Sequence, residues 1–450
     1  MKSIRRIAIY ICMLTFAVGG IGSIGFINTM NDSMSLYENQ TLVPAQQVLP
    51  PTYDPNKPTV AVLLANEVTE VFDFLVPYEI FAMTEAYNVV AVAPDRNVKS
   101  LTGGLDVVPH HSFAEMDQIL GKSPDIIVIP YMPILDEKKY QPVREWIKKN
   151  SGSKTTLITI CNGAENLAET GLLNGKSAAT HWGDIGRLEK KYPQTHWERD
   201  HRYVADGNVV SSAGLTSGID AVLFVISEQL GEAMAANVAK QLNYPSYGFV
   251  QNPYMTPYYA GLSDIDYVVN NAFQWNKKKA GVLLYNGVDE AALASVFDTY
   301  SASGTTNTIT VSSADKPIMS KYRLNLIARY QIAHAPGLDK MIVAGTEAQS
   351  LAAGDIQQWK DTSKSAETLL LHRNEPAQFA MAPALEDLAK QEDVRTASFA
   401  AKRLEYRATG QLKLEGSPFS YEAYGNLLLV GVISLCIALL IDRRFIRKRK

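Results

Sequence analysis

Two uncharged apolar stretches stand at opposite ends of this chain and constrain everything between them. Ile7 to Ile27 (IAIYICMLTFAVGGIGSIGFI) follows Lys2, Arg5 and Arg6, and Tyr424 to Ile441 (YGNLLLVGVISLCIALLI) is followed by RRFIRKRK from Arg443. A helix crosses a bilayer with about 17–25 apolar residues, so both stretches are long enough. Residues 7–28 form either an uncleaved anchor or a signal peptide. The apolar run exceeds the ~7–15 residues of a signal core and no A-x-A-like site follows it, which favours the anchor. Basic residues mark the cytoplasmic side of a span. They lie outside both spans here, so both termini are expected in the cytoplasm of a bacterial cell. The region between is then extracellular or periplasmic, attached to the membrane by two anchors.

With 46% apolar and 20% charged residues, that region can bury sizeable cores. The formal net charge is −3, and no zinc-ligand spacing or recognition helix is visible, so no nucleic-acid partner is expected. No cofactor is expected either. His110-His111 has no third ligand at metal spacing, so no metal site is expected. Of three cysteines, Cys12 and Cys436 fall inside the apolar stretches and leave Cys161 alone in the exported part. One thiol cannot form an intramolecular disulfide; it is a buried inert group or a functional one.

Near-continuous apolar runs (VAVLLAN, NVVAVAP, DIIVIP, TLITI) alternate with helix-like stretches from Thr59 onward. That pattern predicts a parallel sheet covered on both faces. A repeat follows. TVAVLLANEVTE (Thr59 to Glu70) matches KAGVLLYNGVDE (Lys279 to Glu290) at six of twelve positions, and later strands align loosely. The expected division is a linker at 39–58, a first α/β domain at 59–245 and an aromatic connector at 246–278. A decayed second copy follows at 279–395, then a juxtamembrane segment at 396–423 and the second span at 424–441. The second copy lacks the chemistry of the first: Leu293 stands where the first has Asp73, and its elbow falls near His372 or Arg373.

Cys161 ends the fourth apolar run and is followed by Asn162, Gly163 and a helix-like stretch. A thiol at such a strand-to-helix elbow is exposed above the sheet and meets the positive end of a helix. Around it, DFLVPYEIF (Asp73 to Phe81), ICNGAENLAETGLLNGKSAATHW (Ile160 to Trp182) and RYVADGNVVSSAGLTSGID (Arg202 to Asp220) occur in this order. In this combination the chain resembles the ThiJ/PfpI superfamily, whose fold is a flavodoxin-like, class I glutamine amidotransferase-type three-layer sandwich. Within it, the chain is most similar to isonitrile hydratase and to the amidase-like domain of AraC-type regulators.

The resemblance implies Cys161 as the elbow nucleophile, Asp73 as the acid above it and His181 as a histidine near the elbow. Beside a thiolate, Asp73 should keep its proton, because adjacent anions repel. Backbone N–H groups at Asn162 and Gly163 would form the oxyanion site. The chain departs from the family pattern after the third strand, where Pro-Gly-Gly is replaced by Pro130, Tyr131 and Met132. Those two side chains are expected to line and narrow the pocket and to disturb the oxyanion donor. Two functions follow as expectations. One is a cysteine-dependent hydrolase or hydratase/lyase acting on an unknown small molecule. The other is a membrane-tethered sensor or binding module, redox or small-molecule, with reduced catalysis. The second copy could supply an intrachain version of a dimer contact, with a homodimer as the alternative.

Overall fold

The computed structural model describes residues 2–37, 48–362, 367–373 and 378–443. The chain enters through helix α1 (Lys2–Ser35). The first domain is built on a seven-stranded sheet of β1 (Thr59–Leu63), β2 (Asn88–Ala93), β3 (His111–Ser112), β4 (Ile126–Ile129), β5 (Thr156–Thr159), β6 (Tyr203–Asp206) and β7 (Val209–Ser212). These lie in the order β6-β7-β5-β4-β1-β2-β3. Every pairing is parallel except β6 with β7, the hairpin around Asp206 and Gly207. Strand β1 shows why both faces are covered. Val60 and Val62 point into one core with α2 (Val71–Met83), whereas Ala61 and Leu63 point into another with α3 (Phe113–Leu120) and α4 (Glu137–Asn150). The short α5 (Gly163–Ala168) joins the second face, and α6 (Leu215–Leu230) packs beside α2 on the first.

The connector carries α7 (Ile265–Phe273), which packs on α1. The second half then forms a parallel five-stranded sheet of β8 (Lys278–Leu283), β9 (Thr306–Ser312), β10 (Tyr330–Gln331), β11 (Lys340–Val343) and β12 (Glu367–Leu370), ordered β10-β9-β8-β11-β12. Strand register locates the elbow equivalent. Val60 lies opposite Ile126, which lies opposite Thr156, and Ala280 lies opposite Lys340, which lies opposite Glu367. Five residues beyond Thr156 is Cys161, and five beyond Glu367 is His372. That histidine is buried, with Nδ1 accepting from the Gly345 N–H at 3.0 Å and Nε2 against the Ala380 carbonyl at 3.1 Å.

The two halves share one core. Helix α8 (Glu290–Tyr300), which follows β8 as α2 follows β1, packs on α2. From Val71 to Phe81 every residue of α2 is buried, because the sheet covers one side and α8 the other. A mixed five-stranded sheet crosses the same boundary: Asn325–Ile327 of the second half pairs antiparallel with Asp106–Val108 of the first. Arg329 closes it with two hydrogen bonds to Asp106 (2.8 and 2.9 Å). These contacts place the two halves against each other within one chain.

The ends are less separate than the sequence division implies. Helix α9 (Val394–Arg403) straddles the expected boundary at 395/396 and packs against α7, and residues 404–407 dock on the first domain. There the buried Arg202 bonds Asp220 (2.7 Å) and the Glu405 carbonyl (2.7 Å), and the Thr216 N–H bonds the Leu404 carbonyl. Residues 39–47 of the expected linker lie outside the described residues. Val48, however, packs on Val108 and Ile327, one from each half. The terminal helix α10 (Tyr421–Ile441) runs against α1, with Arg6 ion-paired to Asp442. Both helices are long and apolar enough to cross a membrane. Of the basic cluster after the second span, residues 444–450 lie outside the described residues.

Two buried carboxyls meet at the boundary between the halves. Glu79 on α2 accepts the Ala291 N–H (2.5 Å), and Glu290 accepts from Ser320 Oγ (2.5 Å) and the Tyr322 N–H (2.9 Å). Burial and the facing carboxyl push Glu79 well up, and burial lifts Glu290 from 4.5 to about 7. A carboxyl raised in the folded state supports the fold below its unfolded pKa and loses that support as pH rises through the folded value. The chain should therefore lose stability between about pH 4.5 and 7. Glu290→Gln, which mimics the protonated form, should remove part of that loss and stabilise the protein at pH 8 by on the order of 1 kcal/mol. Thermal unfolding of the full chain across this range checks it.

Candidate functional site

Cys161 lies between β5 and α5 with φ of 55°, a left-handed conformation rare for a residue with a Cβ. The turn is possible because Gly163 follows. Its N–H bonds the Ile160 carbonyl (2.8 Å), and a Cβ on it would stand 2.2 Å from the Ile129 carbonyl oxygen. Gly163 thus shapes the elbow by close packing. Asn162 is tied down: its amide donates to Asp184 (2.6 Å) and its oxygen accepts from Thr180 (3.0 Å).

The thiol is buried, at 6% exposure. Burial raises its pKa well above the ordinary value, and Asp73 and Glu70 raise it further, whereas the Asn162 N–H lowers it. The thiolate expected from a helix terminus is not what this surrounding favours: α5 has six residues, and two acids outweigh it. Asp73 is fully buried. Its Oδ2 accepts the Tyr131 N–H (3.1 Å), its Oδ1 has no hydrogen-bond partner among the described residues, and burial lifts its pKa to about 8. A carboxyl in this position carries a proton near neutrality.

Two expected roles differ in the structure. His181 has both ring nitrogens engaged. Nδ1 accepts from the Gly183 N–H (3.2 Å), which assigns the proton to Nε2, and that nitrogen donates to the Arg403 carbonyl (3.0 Å). Burial pushes its pKa down to about 4, so a neutral ring holds the Arg403 backbone and is not placed to take the thiol proton. Met132 does not line the pocket. It is fully buried on the opposite face of the sheet with Ala164 and Leu167, its N–H and carbonyl both bonded to the Asn166 side chain. Tyr131 does line the cavity, but its N–H is spent on Asp73 and its carbonyl on the Glu70 N–H (2.8 Å). The loop that replaces Pro-Gly-Gly therefore offers neither of these N–H groups to an oxyanion.

Three groups that the sequence did not single out complete the surroundings. Glu70 caps α2 by accepting the Asp73 N–H (2.7 Å), and burial with Asp298 and Asp73 nearby raises its pKa well above the ordinary value. The Glu70–Asp73 spacing at a helix start was a usable signal. Asp298 on α8 and Arg403 on α9 had none, because they lie more than a hundred residues away in sequence. Arg403 Nη2 bonds the Asp298 carboxylate and carbonyl, both at 2.5 Å. Its charge lies near Glu70 and Asp73 and lowers the pKa of both acids.

These residues face a cavity of about 660 Å³. Cys161, Tyr131 and Glu70 line it from the first domain, Asp298 and Arg403 from later elements, and Thr29, Asp32 and Leu36 from the end of α1. Among the described residues, Glu198, Asp200 and His201 are the one His/Cys/Asp/Glu group close enough to share a metal. They lie in another part of the first domain, and His201 already meets Asp200 at 2.7 Å.

Two substitutions test this geometry. Gly163→Ala should cost about 3 kcal/mol, because the new Cβ meets backbone that cannot yield; thermal unfolding reads it. Asp73→Asn removes a charge that opposes the thiolate, so the pH profile of Cys161 alkylation by iodoacetamide should move to lower pH.

Comparison with known proteins agrees with this architecture. Residues 58–228 match the DJ-1/PfpI family. The chain is 26% identical over 182 residues to isonitrile hydratase of Pseudomonas putida, covering 38% of this chain and 72% of that one. It is 35% identical over 97 residues to the HTH-type transcriptional regulator CdhR of Pseudomonas aeruginosa, covering 22% of this chain and only 29% of the regulator. Relatives named as transcriptional regulators set a DNA-linked role beside the expectation of no nucleic-acid partner, and the chain spans less than a third of their length. A DJ-1 superfamily protein from Salmonella typhimurium aligns over 42% of this chain and 99% of its own, at 24% identity and a TM-score of 0.36. Residues 58–228 of this chain are a DJ-1/PfpI family domain.

Proposed function

We propose that this chain is a membrane-anchored, outward-facing sensor that binds a small molecule in the cavity above Cys161. The observation that carries this reading is the shared lining of that cavity: the elbow thiol and the last turns of α1 face the same space. An α-helix rises 1.5 Å per residue, so the 34 residues of α1 extend about 50 Å, beyond the ~30 Å apolar layer of a bilayer. Phe16 on α1 and Leu428 on α10 expose most of their apolar surface, as lipid-facing residues do. The helix end is fastened to the connector and to the second half. Thr29 Oγ1 bonds the Asn271 carbonyl (2.8 Å), and Arg329 Nη2 bonds the Leu36 carbonyl (2.5 Å). A ligand that moves the cavity walls therefore pulls on a helix that continues into the membrane.

The poor fit to turnover supports the same reading. The thiol is held protonated, His181 is occupied, and the N–H groups of Tyr131 and Met132 are already bonded. A second reading, a cysteine-dependent hydrolase or hydratase/lyase, draws on the left-handed elbow at Cys161 and the proton on Asp73. It also draws on the identity to isonitrile hydratase.

Hydrogen exchange separates the two. With the full chain in lipid nanodiscs, filling the cavity by alkylating Cys161 should alter amide protection at Thr29 to Leu36 several-fold, and unchanged exchange there counts against the sensor. Cys161-dependent turnover of an amide, isonitrile or reactive carbonyl, absent in Cys161→Ala, would establish the enzyme instead.

A further inference from the structure

The cations lining the cavity are not alike. Arg329 is matched by Asp106 and Arg403 by Asp298. Lys277 is matched by no carboxylate among the described residues. Its ammonium carries three donors, and its one hydrogen bond among these residues goes to the hydroxyl of Thr29 at 2.7 Å. Thr29 stands two residues beyond the apolar stretch that ends at Ile27, so this amine sits where α1 leaves the span.

The neighbouring charges do not supply a counter-ion. Asp32 lies on α1 within electrostatic reach, but it is exposed and makes no ion pair with Lys277 among the described residues. Glu422, in the first turn of α10, is taken by the Asn276 N–H (2.8 Å) and by Gln274 (3.0 Å). The Lys278 amine turns away to the Gln391 carbonyl (2.9 Å) and Glu392. A partly buried ammonium without an opposite charge is costly, and an anion placed beside it offsets that cost. Burial accordingly draws Lys277 down to about 8.

We propose that the cavity takes a small oxyanion-bearing ligand, with Lys277 binding the anionic group and exchanging its bond to Thr29 for that contact. The proposal rests on the cavity being the ligand site and adds the chemical class. It also names the contact by which binding reaches α1, since the bond that is exchanged belongs to a residue of that helix. A free carboxylate or phosphate and an anionic lipid headgroup share this chemistry, and the position of Lys277 at the end of the span admits both sources.

The test uses the full chain in phosphatidylcholine nanodiscs, with inorganic phosphate and succinate titrated at constant ionic strength and the unfolding midpoint followed. At pH 7, at least one of the two should give a saturable rise in midpoint. The affinity should weaken about tenfold per pH unit above pH 8 as Lys277 loses its proton. Lys277→Met should abolish the rise and Lys277→Arg should keep it. If Lys277→Met does not fold, the pH profile of the unmodified chain with Lys277→Arg decides the matter, because arginine keeps its charge and flattens the profile. Stabilisation by phosphatidylglycerol nanodiscs without added anion assigns the ligand to a headgroup, whereas stabilisation by the soluble anions alone assigns it to solution. Equal responses from the unmodified chain and Lys277→Met, or no stabilisation in any arm, overturn the proposal. Lys277-dependent binding with unchanged exchange at Thr29 to Leu36 would instead overturn the sensor reading and leave this one standing.

Discussion

Burial of α2 on both sides is the constraint from which the rest of the structure follows. A helix on the outer face of an α/β sandwich ordinarily keeps one polar side toward water. Here α2 is apolar almost throughout and has no solvent side, because α8 of the second half covers it. The second half therefore supplies an outer layer to the first domain. Asn325–Ile327 of the second half also pairs with Asp106–Val108, which itself pairs with Lys99–Leu101, and this shared sheet satisfies edge hydrogen bonds that would otherwise face solvent. Separation of the halves would break the bond from the Tyr78 hydroxyl to the Tyr322 carbonyl and leave the Glu79 carboxyl without the Ala291 N–H, so the two units depend on each other for stability.

The same packing decides the electrostatics of the elbow. Glu70 and Asp73 arrive with α2, Asp298 arrives with α8, and Arg403 arrives with α9. Burial and mutual repulsion raise Glu70, Asp73 and the Cys161 thiol above their ordinary values, so protons are retained on these two acids and on the thiol, while Arg403 is paired with Asp298. A lone elbow domain would have an open mouth above Cys161. In this chain, elements from the second half and from α1 roof that mouth and convert it into a cavity. The chemistry of the site is thus set by residues outside the DJ-1/PfpI domain as much as by those within it.

The long first helix is joined to the connector by close contacts. Gly22 and Gly25 of α1 let α7 approach closely: a Cβ on Gly25 would stand 2.0 Å from the Ala272 carbonyl oxygen. Thr29, Leu36 and the Arg329–Asp106 pair carry the connection on to the boundary sheet. The cavity wall and the helix end thus share hydrogen bonds at Thr29 and Leu36.

Local patterning carried much of the first domain. Apolar runs bounded by turns placed the strands, and the elbow was readable because the chain from β5 to α5 is contiguous: strand, Cys161, Asn162, Gly163, helix. The repeat was readable through VAVLL and GVLL, and the lone thiol through the two apolar ends. Tertiary structure alone decided the remainder. Whether Met132 faced the pocket or the opposite core depended on how Asn166 pinned its backbone. Whether His181 could accept a proton depended on a carbonyl 222 residues away in sequence. Asp298, Arg403 and Lys277 became site residues only when three distant segments closed over one sheet edge. Short-range pattern specifies secondary structure through side-chain periodicity, but the charge state of a buried group depends on everything packed around it, and that is a property of the assembled core.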